Sequence, residues 1–149
     1  MIYTTLTKTA MQIAFDAHYG QVDKGNVPYI YHPMHVANEM DTEIRTCIAL
    51  LHDVIEDTCV DEEMLRLKGI PEEVIEGVKV LTRNKGESYR QYIEDLIASG
   101  NVDAMRVKLA DLHHNLDASR MPEGKQNRRL RDRYLEAEAL IKQRLQEAD

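Results

Sequence analysis

The segment LLHDVIEDT, residues 50–58, holds four closely spaced side chains that could bind or activate a ligand. We expect it to be helical, and residues four apart on a helix share a face. His52 then lies one turn before Glu56, and Asp53 lies one turn before Asp57. Imidazoles and carboxylates bind divalent cations, and further carboxylates beside them can orient or deprotonate a water. The spacing indicates a metal site, although a His-Asp pair alone is weakly diagnostic.

Two residues elsewhere in the chain could complete such a site. His32 lies in PYIYHP, and Asp111 lies in VKLADLHHN on an otherwise apolar helix face, where a buried acid needs a partner or a cation. If Asp111 joins the acids of residues 53–57, the carboxylates repel one another and their pKa values rise unless a cation is bound. Two imidazoles with two carboxylates suit Mn²⁺, Fe²⁺ or Zn²⁺ better than Ca²⁺. Spacing alone does not show that His32 or Asp111 belongs to the cluster.

The elements that must position these residues are predicted to be helices. Helical periodicity is common along the chain and strand signals are weak. We expect an all-α bundle of seven or eight helices. The expected helices are one carrying Leu6 to Ala17, one over 35–40 after Pro33, one from Glu43 through His52 to Ile55, one from Asp61 to before Gly69, one from Pro71 to Leu81, one over 89–97, one from Asn101 or Asp103 through Leu112, and one carrying Leu130 to Leu145.

Length, charge and cysteine content limit the class of protein. The 149 residues fit a single domain spanning 1–149. A net charge of −7 argues against a nucleic-acid-binding surface. We find neither an apolar run long enough to span a membrane nor the layout of a signal peptide. Cys47 and Cys59 form no metal or disulfide motif, so we expect two reduced thiols in a cytoplasmic protein.

Three segments resemble, in order, the hydrolase domain of the RelA/SpoT-type alarmone hydrolases of the HD superfamily. HYGQVDKGNVPYIYHPMHVA, residues 18–37, is similar to that family's H-x-G-Q-x-R-K-x-G-x-P-Y-I-x-H-P-x-x-V-A. ALLHDVIEDT, residues 49–58, is close to A-x-L-H-D-x-x-E-D-T. VKLADLHHNL, residues 107–116, is similar to V-K-L-A-D-R-L-x-N. The resemblance therefore extends over residues 18–116.

The resemblance implies roles for individual positions. It assigns the metal, usually manganese, to His32, His52, Asp53 and Asp111. It assigns positioning and activation of the water to Glu56 and Asp57, and substrate binding to Asn115, which matches a residue that contacts the nucleotide, and to Lys24, which matches a basic residue of the substrate loop. Family members remove pyrophosphate from the 3′ position of guanosine tetra- or pentaphosphate, and bifunctional members also carry a synthetase domain, for which we expect this chain to be too short.

The sequence departs from the family pattern at two arginines. Asp23 stands where the family has an arginine that packs on guanine, and Leu112 replaces the arginine after the metal-binding aspartate. Asp23 offers neither stacking nor positive charge. Either arginines of the 120–133 stretch, among them Arg120, compensate and guanosine tetraphosphate remains the substrate with a raised KM, or recognition of the base has changed. In the first case we expect Asp23→Arg to lower KM.

Three functions remain open from the sequence. The first is alarmone hydrolysis, the second is the same chemistry on another nucleotide such as a nucleoside monophosphate or NADPH, and the third is a non-catalytic nucleotide-binding regulatory domain. The 120–133 stretch is either a solvated helix face or a source of phosphate-binding cations. We interpret His35, His113 and His114 as non-ligands, and His18 as a helix-end residue or a support for the substrate loop. Oligomeric state is not predicted.

Overall fold

The computed structural model of the chain describes residues 1–121 and 127–148. Within them the fold is all-α, as predicted, and the only β-type pairing is an isolated antiparallel bridge between Val22 and Pro28. A 3-10 turn, Ala118–Arg120, follows the eighth of nine α-helices in these described ranges. The helices are α1 Thr5–Ala17, α2 Tyr31–Asn38, α3 Glu43–Leu51, α4 Val54–Asp57, α5 Glu62–Leu67, α6 Glu72–Val80, α7 Tyr89–Ala98, α8 Val102–Asn115 and α9 Arg128–Ala148.

Helix α3 lies at the centre and packs against α1, α2, α6 and α8. Every residue of α3 from Thr46 to Leu51 is buried, because a helix with neighbours on all sides has no polar face. The contact with α6 is especially close: a Cβ added to Gly77 would lie 2.4 Å from Ile48 Cδ1. This central position explains why the residues that follow α3 project into the interior of the molecule.

Several helices begin at the capping residues that the sequence provides. Asp61 accepts a hydrogen bond from the Met64 amide at 2.8 Å, which confirms it as the cap of α5. Of the two candidates for the start of α8, Asn101 is the cap, and it accepts from the Ala104 amide at 3.0 Å. Helix α2 begins at Tyr31, earlier than predicted, so that Pro33 lies within its first turn.

The single helix predicted from Glu43 through Ile55 is in fact two helices. Helix α3 ends at Leu51 and α4 begins at Val54, so His52 and Asp53 form the break. Asp53 has φ −104° and ψ −2°, outside the regular helical range. The Asp57 amide still donates to the Asp53 carbonyl at 3.0 Å, which keeps the two acids one turn apart. After the break, His52 lies against Asp111 on α8, and Asp53 faces His32 on α2.

None of the helices in the described ranges is both long and apolar enough to cross a lipid bilayer. Both cysteines are free thiols, with Cys47 buried in α3 and Cys59 exposed after α4.

Candidate metal centre

Four ligand-type atoms from separate parts of the fold converge at one point. His32 Nε2 lies 2.8 Å from Asp111 Oδ1 and 3.9 Å from Asp53 Oδ2. His52 Nε2 lies 3.3 Å from that Asp111 oxygen and 3.1 Å from that Asp53 oxygen. His32, His52 and Asp53 each offer a donor atom within 4.8 Å of the others. Asp111 Oδ1 contacts both imidazoles, and a donor set of two imidazole nitrogens and two carboxylate oxygens could hold one divalent cation.

The histidine rings are oriented by hydrogen bonds on the side away from the cluster. His52 Nδ1 lies 2.6 Å from the Ala49 carbonyl oxygen, to which it can only donate. His32 Nδ1 lies 2.7 Å from His114 Nδ1. Metal-binding histidines commonly donate the other ring N–H in this way, which leaves Nε2 free to bind the ion. Both rings therefore present Nε2 to the cluster.

Asp111 divides its carboxylate between the cluster and a buried lysine. Its Oδ1 faces His32 and His52 and accepts from Asn115 Nδ2 at 3.2 Å, and its Oδ2 accepts from Lys108 Nζ at 2.8 Å. Burial alone would raise the pKa of Asp111, but the Lys108 ammonium and the two histidines hold it well below its usual range. Asp111 is therefore a carboxylate, the form that binds a cation.

The carboxylates of the cluster favour the charged form of His52. Burial would lower the pKa of His52, but the carboxylates of Asp53 and Asp111 raise it well above its ordinary value. An excess of negative charge facing one imidazole explains the direction of this shift. A divalent cation would satisfy the same carboxylates.

Tyr29 completes the support of Asp53. Its hydroxyl donates to Asp53 Oδ2 at 2.5 Å, and its ring lies against the buried ring of His18 with centroids 4.9 Å apart. His18 Nδ1 in turn lies 2.8 Å from Gln21 Oε1, and Gln21 Nε2 donates to the Asp57 carbonyl at 3.0 Å. His18 thus supports the 21–29 loop, one of the two roles considered for it.

Glu56 and Asp57 lie beside the cluster on its open side. Together with Asp53 they offer carboxylate oxygens within 4.8 Å of one another. Partial burial and the carboxylates of Asp53 and Glu56 raise the pKa of Asp57 to about 6. Glu56 Oε1 accepts from the Arg83 amide at 2.7 Å, which fixes that side chain to the end of α6.

A cavity of about 320 Å³ opens over the cluster and combines acidic and basic walls. The metal-type residues, Glu56 and Asp57 line it. Three cations lie around the Tyr89 ring, which also lines the cavity, with Arg133 Cζ 5.1 Å, Arg83 Cζ 5.6 Å and Lys108 Nζ 5.9 Å from its centroid, and Lys108 is paired with Asp111. Lys24 and Asn115 also line the cavity. The arginines and Lys24 would offer positive charge to a polyanion that contacts a metal ion in this cavity.

A second cavity, of about 330 Å³, adjoins the first and contains both Asp23 and Arg120. Lys24, Asn115 and Tyr134 line both cavities. Arg120 Nη1 donates to Asn115 Oδ1 at 3.0 Å, and Arg120 Nη2 lies 3.6 Å from Asp23 Oδ2. A chain of polar contacts therefore runs from Asp23 in the 21–29 loop, through Arg120 and Asn115, to Asp111. All four residues predicted to bind substrate border these two adjoining cavities.

The basic stretch of residues 120–133 does not act as one surface. Arg120 and Arg133 line the cavities just described, whereas Arg131 donates to the Leu116 carbonyl at 3.2 Å and borders a cleft of about 960 Å³ on another side of α8. That cleft also contains His113 and no residue of the four-ligand cluster. Lys125 and Glu123, which belong to the stretch, lie outside the described residues.

Three residues of the site were not singled out from the sequence. Lys108 stands in the VKLAD motif three residues before Asp111, and that helical spacing of a lysine and an acid was the available signal. Tyr29 lies in PYIYHP three residues before His32, but nothing local to it indicates a contact with Asp53. Arg83 belongs to a polar segment after α6 and carries no motif.

Known proteins share both sequence and fold with this chain, although no protein-family model matches it. It is 37% identical over 124 residues to the bifunctional (p)ppGpp synthase/hydrolase SpoT of Escherichia coli K12, a match covering 73% of this chain and 17% of that protein. It is 32% identical over 137 residues to a guanosine-3′,5′-bis(diphosphate) 3′-pyrophosphohydrolase of Borreliella burgdorferi, covering 83% of this chain and 20% of that protein. The chain thus spans about a fifth or less of these relatives.

A solved structure agrees over nearly the whole length. The structure of a metazoan orthologue of SpoT that hydrolyses ppGpp superposes with a TM-score of 0.79 and 26% identity, covering 97% of this chain and 88% of that one. The predicted resemblance and the all-α HD-type fold are both confirmed by these matches.

Proposed function

We propose that this chain, a relative of the SpoT-type alarmone hydrolases, is a metal-dependent hydrolase that removes pyrophosphate from the 3′ position of guanosine tetra- or pentaphosphate. We further propose that residues 1–149 act as one domain. The observation that carries the proposal is the convergence of His32, His52, Asp53 and Asp111 at 2.8–3.9 Å, beside a cavity that both carboxylates and cations line. Relatives named for this activity support the choice of reaction.

The cation is held, in this proposal, by the two imidazole nitrogens and by one oxygen each from Asp53 and Asp111. A mixed nitrogen and oxygen donor set suits Mn²⁺, with Fe²⁺ and Zn²⁺ as competitors. When bound, such an ion supplies Lewis-acid activation of water and neutralises charge on a phosphoryl oxygen. The buried Lys108 holds the second oxygen of Asp111, so that Oδ1 stays directed at the site.

Glu56 and Asp57 orient the attacking water, and one of the two carboxylates accepts its proton. Their carboxylates lie next to Asp53 and on the open side of the cluster, where substrate and water can reach them. The hydrogen bond from the Arg83 amide keeps the Glu56 side chain in one position. A general base needs such a fixed position because it must lie within hydrogen-bond distance of the water proton that it accepts.

The substrate's phosphates contact the basic residues of the first cavity, and its base occupies the second cavity. Lys24, Arg83 and Arg133 offer positive charge to the pyrophosphate groups. Asn115, Arg120 and Asp23 offer polar groups to the nucleoside from the second cavity. The volumes of the two cavities, about 320 and 330 Å³, lie within the range of small-molecule sites.

The two free thiols fit a reducing compartment, and we propose the cytoplasm.

A second candidate is the same chemistry on a different nucleotide, such as a nucleoside monophosphate or NADPH. The observation that favours it is the carboxylate of Asp23 in the cavity assigned to the base. A non-catalytic nucleotide-binding role agrees less well with Glu56 and Asp57, because binding alone does not require a pair of acids beside the cation.

The test is a substrate panel with the Mn²⁺-loaded protein. Guanosine tetraphosphate, nucleoside monophosphates and NADPH are incubated in parallel, and released pyrophosphate or phosphate is measured, with Asp53→Ala as the control for contaminating activity. We expect pyrophosphate release from guanosine tetraphosphate to be fastest. Turnover of NADPH or a monophosphate alone would favour the second candidate, and no turnover of any compound would favour a binding role.

A further inference from the structure

His114 contacts the four-ligand cluster without belonging to it. Its Nδ1 atom lies 2.7 Å from His32 Nδ1. The two rings are inclined by only 4°, with centroids 5.0 Å apart. Parallel rings with so short a nitrogen–nitrogen distance and so wide a centroid separation meet edge to edge, which is the geometry of an in-plane N–H···N hydrogen bond. On the far edge of the His32 ring, Nε2 faces Asp53 and Asp111.

The tautomer of His32 decides whether its Nε2 can bind a cation. A neutral imidazole carries one proton, so an unprotonated Nε2 requires that the proton sit on Nδ1. That tautomer is favoured when an acceptor faces Nδ1. For His52 the acceptor is the Ala49 carbonyl oxygen, which has no alternative role. For His32 the acceptor that faces Nδ1 in the described part of the chain is the Nδ1 of His114. It competes for the single ring proton with Asp111 Oδ1, which lies 2.8 Å from Nε2, and a cation at Nε2 would take the place of a proton there.

We propose that His114 is a positioning residue that accepts the Nδ1 proton of His32 and so keeps His32 Nε2 unprotonated and directed at the cation. This inference rests on the metal site proposed above. It also gives α8 two functions, because the same helix supplies the ligand Asp111 and, one turn later, the residue that orients a ligand on α2.

Two contacts hold His114 in place for this role. Its ring stacks on that of His35, with centroids 3.8 Å apart and planes inclined by 9°. Its backbone carbonyl accepts from Arg120 Nη1 at 3.1 Å. Because His35 is half exposed, it supports the His114 ring from the solvent side. The order His32, His114, His35 therefore runs from the cluster to the surface.

Two substitutions of His114 separate the hydrogen bond from the shape of the ring. His114→Phe keeps a flat ring for stacking and removes the acceptor. His114→Asn removes the ring and places its side-chain oxygen near the former position of Nδ1. His113→Ala, an exposed neighbour on the same helix, is the matched control. Binding of Mn²⁺ is measured by titration with electron paramagnetic resonance detection of the free ion, and circular dichroism without metal checks folding.

We expect the Kd for Mn²⁺ to rise about 10–100-fold in His114→Phe, the usual effect of removing an outer hydrogen-bond partner. The Asn variant should recover most of the affinity, and His113→Ala should match the wild type. In the Zn²⁺-loaded wild type, ¹⁵N NMR should show a proton on Nδ1 of His32 and none on Nδ1 of His114.

Unchanged Mn²⁺ affinity in a folded His114→Phe variant would overturn the inference while leaving the metal site intact. Equal losses in the Phe and Asn variants would also overturn it, since shape rather than the acceptor would then matter. Should neither variant fold, the NMR measurement on the wild type decides: a proton on Nδ1 of His114 in the loaded protein contradicts the proposal, whereas a proton on Nε2 of His32 contradicts the ligand assignment itself. A wild type that binds neither Mn²⁺ nor Zn²⁺ would instead contradict the proposed function.

Discussion

The Asp23 carboxylate and the Arg120 guanidinium lie 3.6 Å apart at the wall of the second cavity, so the acid is accompanied by its own counter-charge. Asp23 also has a local role, because its Oδ1 accepts from the amides of Gly25 at 2.8 Å and Val27 at 3.0 Å. The loop packs tightly on the turn that carries Arg120, since a Cβ on Gly25 would lie 2.4 Å from the Arg120 carbonyl oxygen. An unpaired Asp23 carboxylate would repel the phosphates of a bound nucleotide, and the nearby Arg120 guanidinium partly cancels this repulsion.

This geometry changes the expected effect of Asp23→Arg. From the sequence we expected a lower KM, but the substitution removes two backbone acceptors and places two guanidinium groups side by side. Loss of about 1–2 kcal/mol of loop stabilisation should raise KM for guanosine tetraphosphate about tenfold. The double variant Asp23→Arg with Arg120→Asp should recover part of that loss, and Asp23→Asn, which keeps the acceptor oxygen, should have a smaller effect. Steady-state kinetics measures all of these, and a KM below that of the wild type in Asp23→Arg would restore the first expectation.

Binding of a divalent cation should stabilise the folded chain. At an Mn²⁺ concentration about 100 times its Kd, the gain is about 2.7 kcal/mol, visible as a higher midpoint of thermal unfolding. Asp53→Ala should lose both this increase and the activity while keeping its helicity, because Asp53 lies at a helix break and only one of its carboxylate oxygens accepts from Tyr29. Differential scanning calorimetry with and without Mn²⁺ provides the comparison. Full metal occupancy in Asp53→Ala would contradict the ligand assignment.

Glu56→Gln should separate catalysis from metal binding. The amide oxygen of Gln can still accept from the Arg83 amide, so the local structure should be kept, but the amide cannot accept a proton from water. We expect kcat to fall by about 10²–10⁴, the usual contribution of general acid–base catalysis, with little change in Mn²⁺ affinity. Turnover at the wild-type rate would exclude Glu56 from the chemical step.

Gly77→Ala should destabilise the fold although alanine favours helices. The added Cβ would overlap Ile48 Cδ1 at 2.4 Å, and overpacking of this kind costs about 1–3 kcal/mol. The gain in helix propensity, about 1 kcal/mol, offsets part of that loss. Urea unfolding of Gly77→Ala, of Glu76→Ala as an exposed neighbour on α6, and of the pair Gly77→Ala with Ile48→Val measures the effect. If Ile48→Val brings no recovery, the Gly77–Ile48 contact is not the cause.

The sequence by itself determined the all-α class, most helix boundaries and the residues of the cluster. Helical spacing of apolar residues and local caps such as Asp61 and Asn101 depend on neighbours within a few positions, and these are visible in the chain. His52 and Asp53 stand in one short motif, so their proximity was also local. His32 and Asp111 were connected to them by a family resemblance rather than by any rule of spacing.

Only the tertiary structure decided how those residues meet. The break at His52 and Asp53 was missed because a regular helix satisfies the local pattern equally well, and only the packing of α3 against α8 determines where the two side chains turn. The roles of Lys108, Tyr29 and His114 are visible only in the structure, because each depends on a contact that orients a ring or a carboxylate of the cluster. The pairing of Asp23 with Arg120 joins residues almost a hundred positions apart, and a charge in the sequence carries no information about which opposite charge the fold brings beside it.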